Sequence, residues 1–215
     1  MGLKSTARKC AGFINRFPFI NKISKHGAKV VFNGTLLVGC KIKCKGKNNK
    51  IIFNGNGGFK NTSIVINGDN NTVFLESGVS MDSGAILLDG NGNDFTVGKD
   101  TKFCGKIHIA CIEGTKVSVG EKGLFSSDIT IRTGDSHSVV DMEGNRINPS
   151  KHVVIGNHVW VGNHVIITKG VCIPDNCIIG TGAVVTSVFE KTNSVIAGVP
   201  AKVTKENINW RPERI

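Results

Sequence analysis

The chain has few aromatic residues and no tyrosine. Aromatic residues make up 6% of its 215 residues, which is few large side chains to fill a wide globular core. No apolar run is long enough to cross a membrane, and the start lacks the apolar stretch of a secretory signal. The seven cysteines contain no CxxC pair of the zinc-binding kind. We therefore expect a cytoplasmic protein with reduced thiols and no bound metal.

Acidic residues are absent from the first third of the chain. Residues 1–68 contain 13 Lys and Arg but no Asp or Glu, so the net charge of +11 arises there, while the rest of the chain is close to neutral. This basic region is either plainly solvated or in contact with an anionic partner, such as an acidic glycan or a membrane surface. No aromatic residues suited to base stacking alternate with the lysines, so we do not expect nucleic acid as a partner.

A six-residue period begins at residue 155. The successive segments read IGNHVW, VGNHVI, ITKGVC, IPDNCI, IGTGAV and VTSVFE. Each segment begins with a branched aliphatic residue, namely Ile155, Val161, Ile167, Ile173, Ile179 and Val185. Neither a helix nor a single strand has this period, whereas a short strand plus a turn does. Three such units per coil predict a triangular prism, the parallel β-helix of hexapeptide repeats.

A 22-residue period precedes the six-residue one. The segments NNKIIF, NNTVFL, GNDFTV and GTKVSV begin at residues 48, 70, 92 and 114. Three columns share this register and are predicted to stack: Leu75, Val97 and Val119; Phe103 and Phe125; Leu87, Ile109 and Ile131. KVVFNG at 29 and KIIFNG at 50 predict one more coil, so the β-helix is expected over 29–203. Seven or eight coils make a rod of about 35 Å.

The two ends of the chain lie outside the repeat. Residues 4–25 have an amphipathic helical pattern divided by Pro18, and we expect 1–28 to be a helical cap over the first coil. Peripheral membrane contact through this basic N-terminus is the alternative, and MGLKST matches the pattern for N-myristoylation. Residues 204–215 are predicted to be a C-terminal tail.

The largest break in the repeat follows Ile131. The 22-residue register would start the next strand at Val139, but the matching strand starts at Val153, 14 residues later. The insertion predicts a protruding loop at 139–152, directly after RTGDSHS. His137 lies at its base. A histidine can accept and return a proton near neutral pH, so His137 is either a general base or a plain exposed corner residue.

The second half of the chain resembles the hexapeptide-repeat acetyltransferases. The resemblance is carried by DSHS before a loop, then by VIGNHVWVGNHVIITKGVCIPDNCIIGTGAVVTSV and AGVPAK. The similarity is strongest to bacterial sugar O-acetyltransferases that modify capsules and other surface polysaccharides. It implies an all-β fold, a left-handed parallel β-helix, and a homotrimer that uses acetyl-CoA as co-substrate. It also implies that His137 is the catalytic base of a direct transfer, without a covalent enzyme intermediate.

The resemblance implies further site residues. Trp160 matches the tryptophan beside the family's active site; otherwise it fills a groove between subunits. The expected CoA contacts are Asn163, Thr181, Thr186, Ser187, Lys202 and Lys205. The two lysines suit the phosphates of CoA.

Three residues on the coils next to His137 are candidates for acceptor binding. Lys106, His108 and Arg132 are expected to point outward, beside inward-pointing isoleucines, and could bind a carboxylate-bearing sugar or be merely solvated. His152, His158 and His164 are six residues apart and therefore lie at different corners of one chain, where they cannot together bind a metal. Histidines gathered from adjacent chains, as in β-helical carbonic anhydrases, are the alternative.

The sequence thus predicts an acetyl-CoA-dependent O-acetyltransferase that acts on a sugar hydroxyl of a bacterial surface polysaccharide, or on its precursor. The acceptor is expected to be capsular, and the basic first third is compatible with an acidic one. The alternatives are an antibiotic or serine O-acetyltransferase, and a non-catalytic β-solenoid that binds glycan. A non-catalytic solenoid would not explain why a loop with a histidine lies next to the part of the chain that resembles CoA-binding acetyltransferases.

Overall fold

The structure, a computed structural model, describes residues 11, 14, 15 and 18–215. Half of the predicted helical cap at 1–28, including Cys10 and the myristoylation pattern, lies outside these residues. Within the part that is described, Lys22–Ser24 forms a strand rather than the end of a helix. Asn15 and Asn21 of the predicted cap are buried, and their side chains form hydrogen bonds with the backbone of Leu37 at the free edge of its strand.

Parallel strands form three faces of a prism, joined by three corners. The first face contains β3 (Leu36–Val38), β6 (Gly58–Lys60), the beginnings of β9 (Ser80–Asp89) and β11 (Lys102–Ile112), β13 (Leu124–Phe125), β16 (Trp160–Val161), β19 (Ile178–Ile179) and β21 (Val195–Gly198). The second contains β1 (Lys22–Ser24), β4 (Lys41–Lys45), β7 (Thr62–Asn67), the ends of β9 and β11, β14 (Ile129–Arg132), β17 (Ile166–Ile167) and β20 (Val184–Val185). The third contains β2 (Lys29–Val31), β5 (Lys50–Phe53), β8 (Thr72–Leu75), β10 (Asp94–Val97), β12 (Lys116–Val119), β15 (Val153–Ile155) and β18 (Cys172–Ile173).

Stacked aliphatic and phenyl side chains fill the prism. Leu75, Val97 and Val119 are register partners in β8, β10 and β12, as their period predicts, and all three are buried. Phe103 and Phe125 are also partners, with ring centroids 4.7 Å apart. Burial of one branched aliphatic per face and coil, worth about 25 cal/mol per Å² of apolar area, stabilises the rod.

One predicted column is wrong by a residue. Ile86, not Leu87, pairs with Ile109, because the register of β9 and β11 shifts between Phe103 and Lys106. The shift lies at Gly105, where a Cβ would meet the side chain of Ser127 1.9 Å away. The side chain of a larger residue would therefore collide with the next coil at this corner.

The second corner, between the second and third faces, contains a ladder of buried asparagines. Asn49, Asn71 and Asn93 are 22 residues apart, and each side-chain oxygen accepts the backbone N–H of the next member, at 2.9 and 2.8 Å. Thr115 continues the ladder, since its N–H donates to Asn93 and its hydroxyl to that of Thr133. These bonds satisfy polar groups that the four extra residues of each coil would otherwise leave buried and unpaired.

The last strand reverses direction. β22 (Ala201–Lys205) pairs antiparallel with β21 and closes the end of the first face. Beyond it the chain continues as the predicted tail and brings Trp210 back over the first face. Among the described residues, no helix has the length and apolar character to span a membrane.

Candidate active site

The insertion lies at the second corner, where the asparagine ladder ends. Val117 pairs with Val153, 36 residues on, whereas earlier coils return after 22. The extra 14 residues form a small hairpin: Val140 and Arg146 are bridged antiparallel, and Asp141 accepts two backbone N–H bonds in the turn. His137 is exposed at the base of this hairpin.

Asn148 connects the hairpin to the segment that contains His137. Its side-chain NH₂ donates to the backbone oxygen of His137 at 2.9 Å and to Asp135 Oδ2 at 2.8 Å. Its side-chain oxygen accepts the N–H of Val139 at 2.7 Å. With 8% of its surface exposed, Asn148 makes these bonds largely shielded from water. The side chain therefore fixes the backbone on both sides of the histidine, a role that the sequence did not predict.

Ion pairs hold the same segment to the rod. Lys169 lies 2.6 Å from Asp135 and also donates to the backbone oxygen of Asn148. The hydrogen bond from Lys169, helped by that from Asn148, lowers the pKa of Asp135 below its ordinary value. On the other side of the hairpin, Arg146 pairs with Glu113 at 2.9 Å. Both ends of the insertion are thus tied to neighbouring coils.

Two open grooves lie on the second face, and the first is lined by the two residues that precede His137. One, of about 330 Å³, is lined by Arg132, Asp135, Ser136, Ile166 and Lys169. Arg132 donates to the hydroxyl of Ser136, the residue before His137. Ser136 and Asp135 are therefore engaged elsewhere, and among the described residues the His137 ring has no hydrogen-bond partner.

The second groove, of about 490 Å³, continues upstream on the same face and includes Lys106 and His108. Ile107, Ile109 and Ile131 are buried while Lys106, His108 and Arg132 point outward, as expected from the alternation. Burial, and secondarily the charge of Arg132, lowers the pKa of His108, so this ring is neutral at pH 7. The structure thus brings the three candidate acceptor residues together on one face.

Trp160 lies on a different face from the strand that leads to His137. It belongs to β16 on the first face, and 38% of its surface is exposed. Trp210 from the C-terminal tail lies beside it, with ring centroids 6.1 Å apart, and stacks on His158 at 4.3 Å. Trp210 also donates its indole N–H to the backbone oxygen of His158 at 2.8 Å. Sequence reasoning missed this support, although a lone tryptophan in a polar tail was a signal.

The six predicted CoA residues fall into three groups. Asn163 and Thr181 occupy the corner between the first and second faces, one coil apart, as their 18-residue spacing predicts. Thr186 and Ser187 follow β20 at its other end, and Lys202 and Lys205 lie on β22. All six are exposed. Within one chain they are not gathered into a single pocket.

The three histidines at six-residue spacing, His152, His158 and His164, occupy separate corners. His158 and His164 both have positive φ, typical of tight corners, and His152 accepts the N–H of Lys116. In the part of the chain that the structure describes, no three His, Cys, Asp or Glu side chains form a group that could hold a metal ion. Burial raises the pKa of Cys111 to about 12, which leaves its thiol protonated and non-nucleophilic.

Comparison with known proteins agrees with this architecture. The polysialic acid O-acetyltransferase of Neisseria meningitidis is 39% identical over 166 residues, which cover 77% of this chain and 76% of that protein. The solved structure of the polysialic acid O-acetyltransferase OatWY has 33% identity and a TM-score of 0.76, covering 91% of this chain and 88% of the other. That of the polySia-specific acetyltransferase NeuO has 28% identity and a TM-score of 0.78, covering 91% and 90%.

No sequence-family model matches the chain. The identity to the meningococcal enzyme extends over more than two thirds of both proteins, and the structural similarity extends over nine tenths of this chain. This chain therefore belongs to the hexapeptide-repeat O-acetyltransferases and has their left-handed parallel β-helix fold.

Proposed function

We propose that this chain transfers the acetyl group of acetyl-CoA to a hydroxyl of an acidic bacterial surface polysaccharide. The observation that carries the proposal is the position of His137, exposed directly after Asp135 and Ser136 of the groove that contains Arg132. A second groove on the same face adds Lys106 and the neutral His108. A cationic groove favours an acceptor with carboxylates or phosphates. Polysialic acid, named for the relatives, is the first acceptor to test.

His137 acts as the general base in this proposal. Its imidazole takes the proton from the acceptor hydroxyl, so the hydroxyl oxygen can attack the thioester carbon directly. The same ring then returns the proton to the departing thiolate, and no acetylated enzyme is formed. Asn148 and the Asp135–Lys169 pair support this role by holding the backbone around the ring.

The complete site is shared between subunits of a homotrimer. Trp160 and His137 belong to different regions of the prism surface, and the predicted CoA residues are spread over two corners and β22. Neighbouring chains can bring such surfaces to opposite walls of one cleft. Trp160, supported by Trp210, then forms the wall beside the acetyl group.

The exposed residues of this cleft fit CoA chemically. In the described chain, neither Lys202 nor Lys205 forms a salt bridge, so both ammonium groups are available to phosphates. The side-chain oxygen of Asn163 already accepts the N–H of Ser127, which leaves its NH₂ and the Thr181 hydroxyl for the amides of the pantetheine arm. We assign the protein to the cytoplasm, where acetyl-CoA is made available to it.

The experiment is a transfer assay with acetyl-CoA and polysialic acid that follows thiol release and acetylation of the polymer. Wild-type protein should acetylate the polymer, and His137→Gln should lose nearly all turnover while keeping its β-sheet circular dichroism. Mixing His137→Gln with Trp160→Ala and refolding should restore part of the activity, because a mixed trimer contains one intact cleft. Full activity of His137→Gln would refute the assignment of the base.

A further inference from the structure

A row of lysines covers the beginning of the second face. Lys41, Lys43 and Lys45 alternate along β4 with the buried Ile42 and Cys44, so all three side chains point to solvent. Lys22 in β1 is the register partner of Lys41 and is also exposed. We call Lys22, Lys41, Lys43 and Lys45 the lysine row.

The positive charge of this row is not neutralised within the described chain. None of the salt bridges between described residues involves a lysine of the row, whereas Lys60 and Lys116, farther along, pair with Asp82 and Asp94. Like charges on facing positions of neighbouring strands destabilise a sheet. A bound external anion would remove this repulsion.

The row lies on the same face as the two grooves. From β4 the second face continues through β7, β9 and β11 to β14, which ends at Arg132. Four strand spacings of 4.7–4.9 Å separate β4 from β14, or about 19 Å. In line with Lys41 and Lys43, the outward residues on β7 and β9 are uncharged: Ser63 and Val65, then Ala85 and Leu87. On β11 the same two columns contain His108 and Ala110. In line with Lys45 lie Asn67 and the exposed Asp89, so the uncharged path follows the Lys41 and Lys43 columns.

The Lys41 and Lys43 columns of this face therefore have cationic groups at both ends and uncharged residues between them, with Asp89 to one side. We propose that the lysine row is a second contact site for an anionic polysaccharide, which lies across the strands of the second face from the row to Arg132. The inference rests on the proposed function and extends it: the chain prefers polymers long enough to reach both ends. A short acceptor occupies the groove beside His137 without reaching the row.

The test compares Lys41→Gln/Lys43→Gln with a control of equal charge change, Lys29→Gln/Lys50→Gln. The control lysines are exposed register partners on the third face, in the same two coils. Each variant is assayed with polysialic acid much longer than 20 Å, taken from the span estimated above, and with a disialyl fragment. Loss of two exposed ion pairs should raise the KM for the polymer about fivefold in the second-face variant.

The KM for the fragment, and kcat for both acceptors, should stay the same in the second-face variant. The control should remain within about twofold of wild type, and added salt should erase the difference between variants. Equal KM increases in the two variants would show that the polymer responds to overall positive charge and not to the lysine row, which would overturn the inference. An equal effect on polymer and fragment would also overturn it.

Anionic phospholipid vesicles test the competing use of the row. If wild-type protein sediments with such vesicles, the second-face variant does not, and polymer KM is unchanged, then the row is a membrane contact and the inference is wrong. The proposed function has a separate test: it is wrong if wild-type protein acetylates neither the polymer nor the fragment.

Discussion

The contacts of Asn148 predict that replacing one side-chain nitrogen by oxygen, next to the backbone of His137, will slow turnover. Asn148→Asp keeps the shape of the side chain but removes the NH₂ that donates to His137 O and Asp135 Oδ2, and it places two carboxylates against each other. A neutral hydrogen bond is worth about 0.5–1.5 kcal/mol and one to a charged group about 1.5–3. The loop geometry should therefore lose roughly 2–4 kcal/mol of support.

A shift of about 1 Å in a catalytic group can lower the rate a hundredfold. We expect kcat of Asn148→Asp to fall by about that factor, with KM for acetyl-CoA unchanged, since the side chain contacts none of the predicted CoA residues. The assay is steady-state thiol release on protein whose circular dichroism matches wild type.

Asn145→Asp is the matched control. Asn145 lies in the turn of the same hairpin and also donates to a carboxylate, Asp141, but it is exposed and has no contact with His137. It should stay within about twofold of wild type, as expected for an exposed surface change. Equal kcat values for the two variants would refute the proposal that Asn148 positions the histidine.

Three further predictions follow from other parts of the rod. Asn71→Ala breaks the buried ladder and orphans the N–H of Asn93 and the oxygen of Gly90, so the unfolding free energy should fall by about 3 kcal/mol in denaturant titration. Asn67→Ala is the control for Asn71→Ala, because the hydrogen bond from Asn67 to Asp89 is exposed; its unfolding free energy should fall by less than about 0.5 kcal/mol. Alkylation at pH 8 followed by mass spectrometry should label exposed Cys104 and spare Cys111, whose burial raises its pKa to about 12. Because Lys169 lowers the pKa of Asp135, wild type should be more stable than Asp135→Asn above about pH 4 and lose that advantage as the pH falls further.

The regular part of the fold could be predicted because each coil repeats the same burial problem. One inward aliphatic per face and coil produces a visible period, and Trp160 pairs with Ile178 at the 18-residue spacing that the period predicts. The register shift between Phe103 and Lys106 could not be predicted, because a period assumes that every coil has the same register. Gly105 lies in this segment, close to Ser127 of the next coil.

The candidate site was predicted in part, and for a different reason. An interruption in the repeat identified the loop and His137, and alternation along β11 and β14 predicted that His108 and Arg132 point outward. The contacts of Asn148 arise inside a 14-residue insertion that has no period, so no pattern indicated them. Trp210 was missed likewise, since the tail that contains it lies outside the repeat.

The most direct measurement of the account is the rate of acetyl transfer from acetyl-CoA to polysialic acid by wild type and His137→Gln, measured as a function of pH because a general base must be unprotonated to act. The account predicts that wild type is active and that the variant retains a small residual rate without the wild-type dependence on pH. A variant that transfers acetyl groups at the wild-type rate, with the same pH profile, would contradict it.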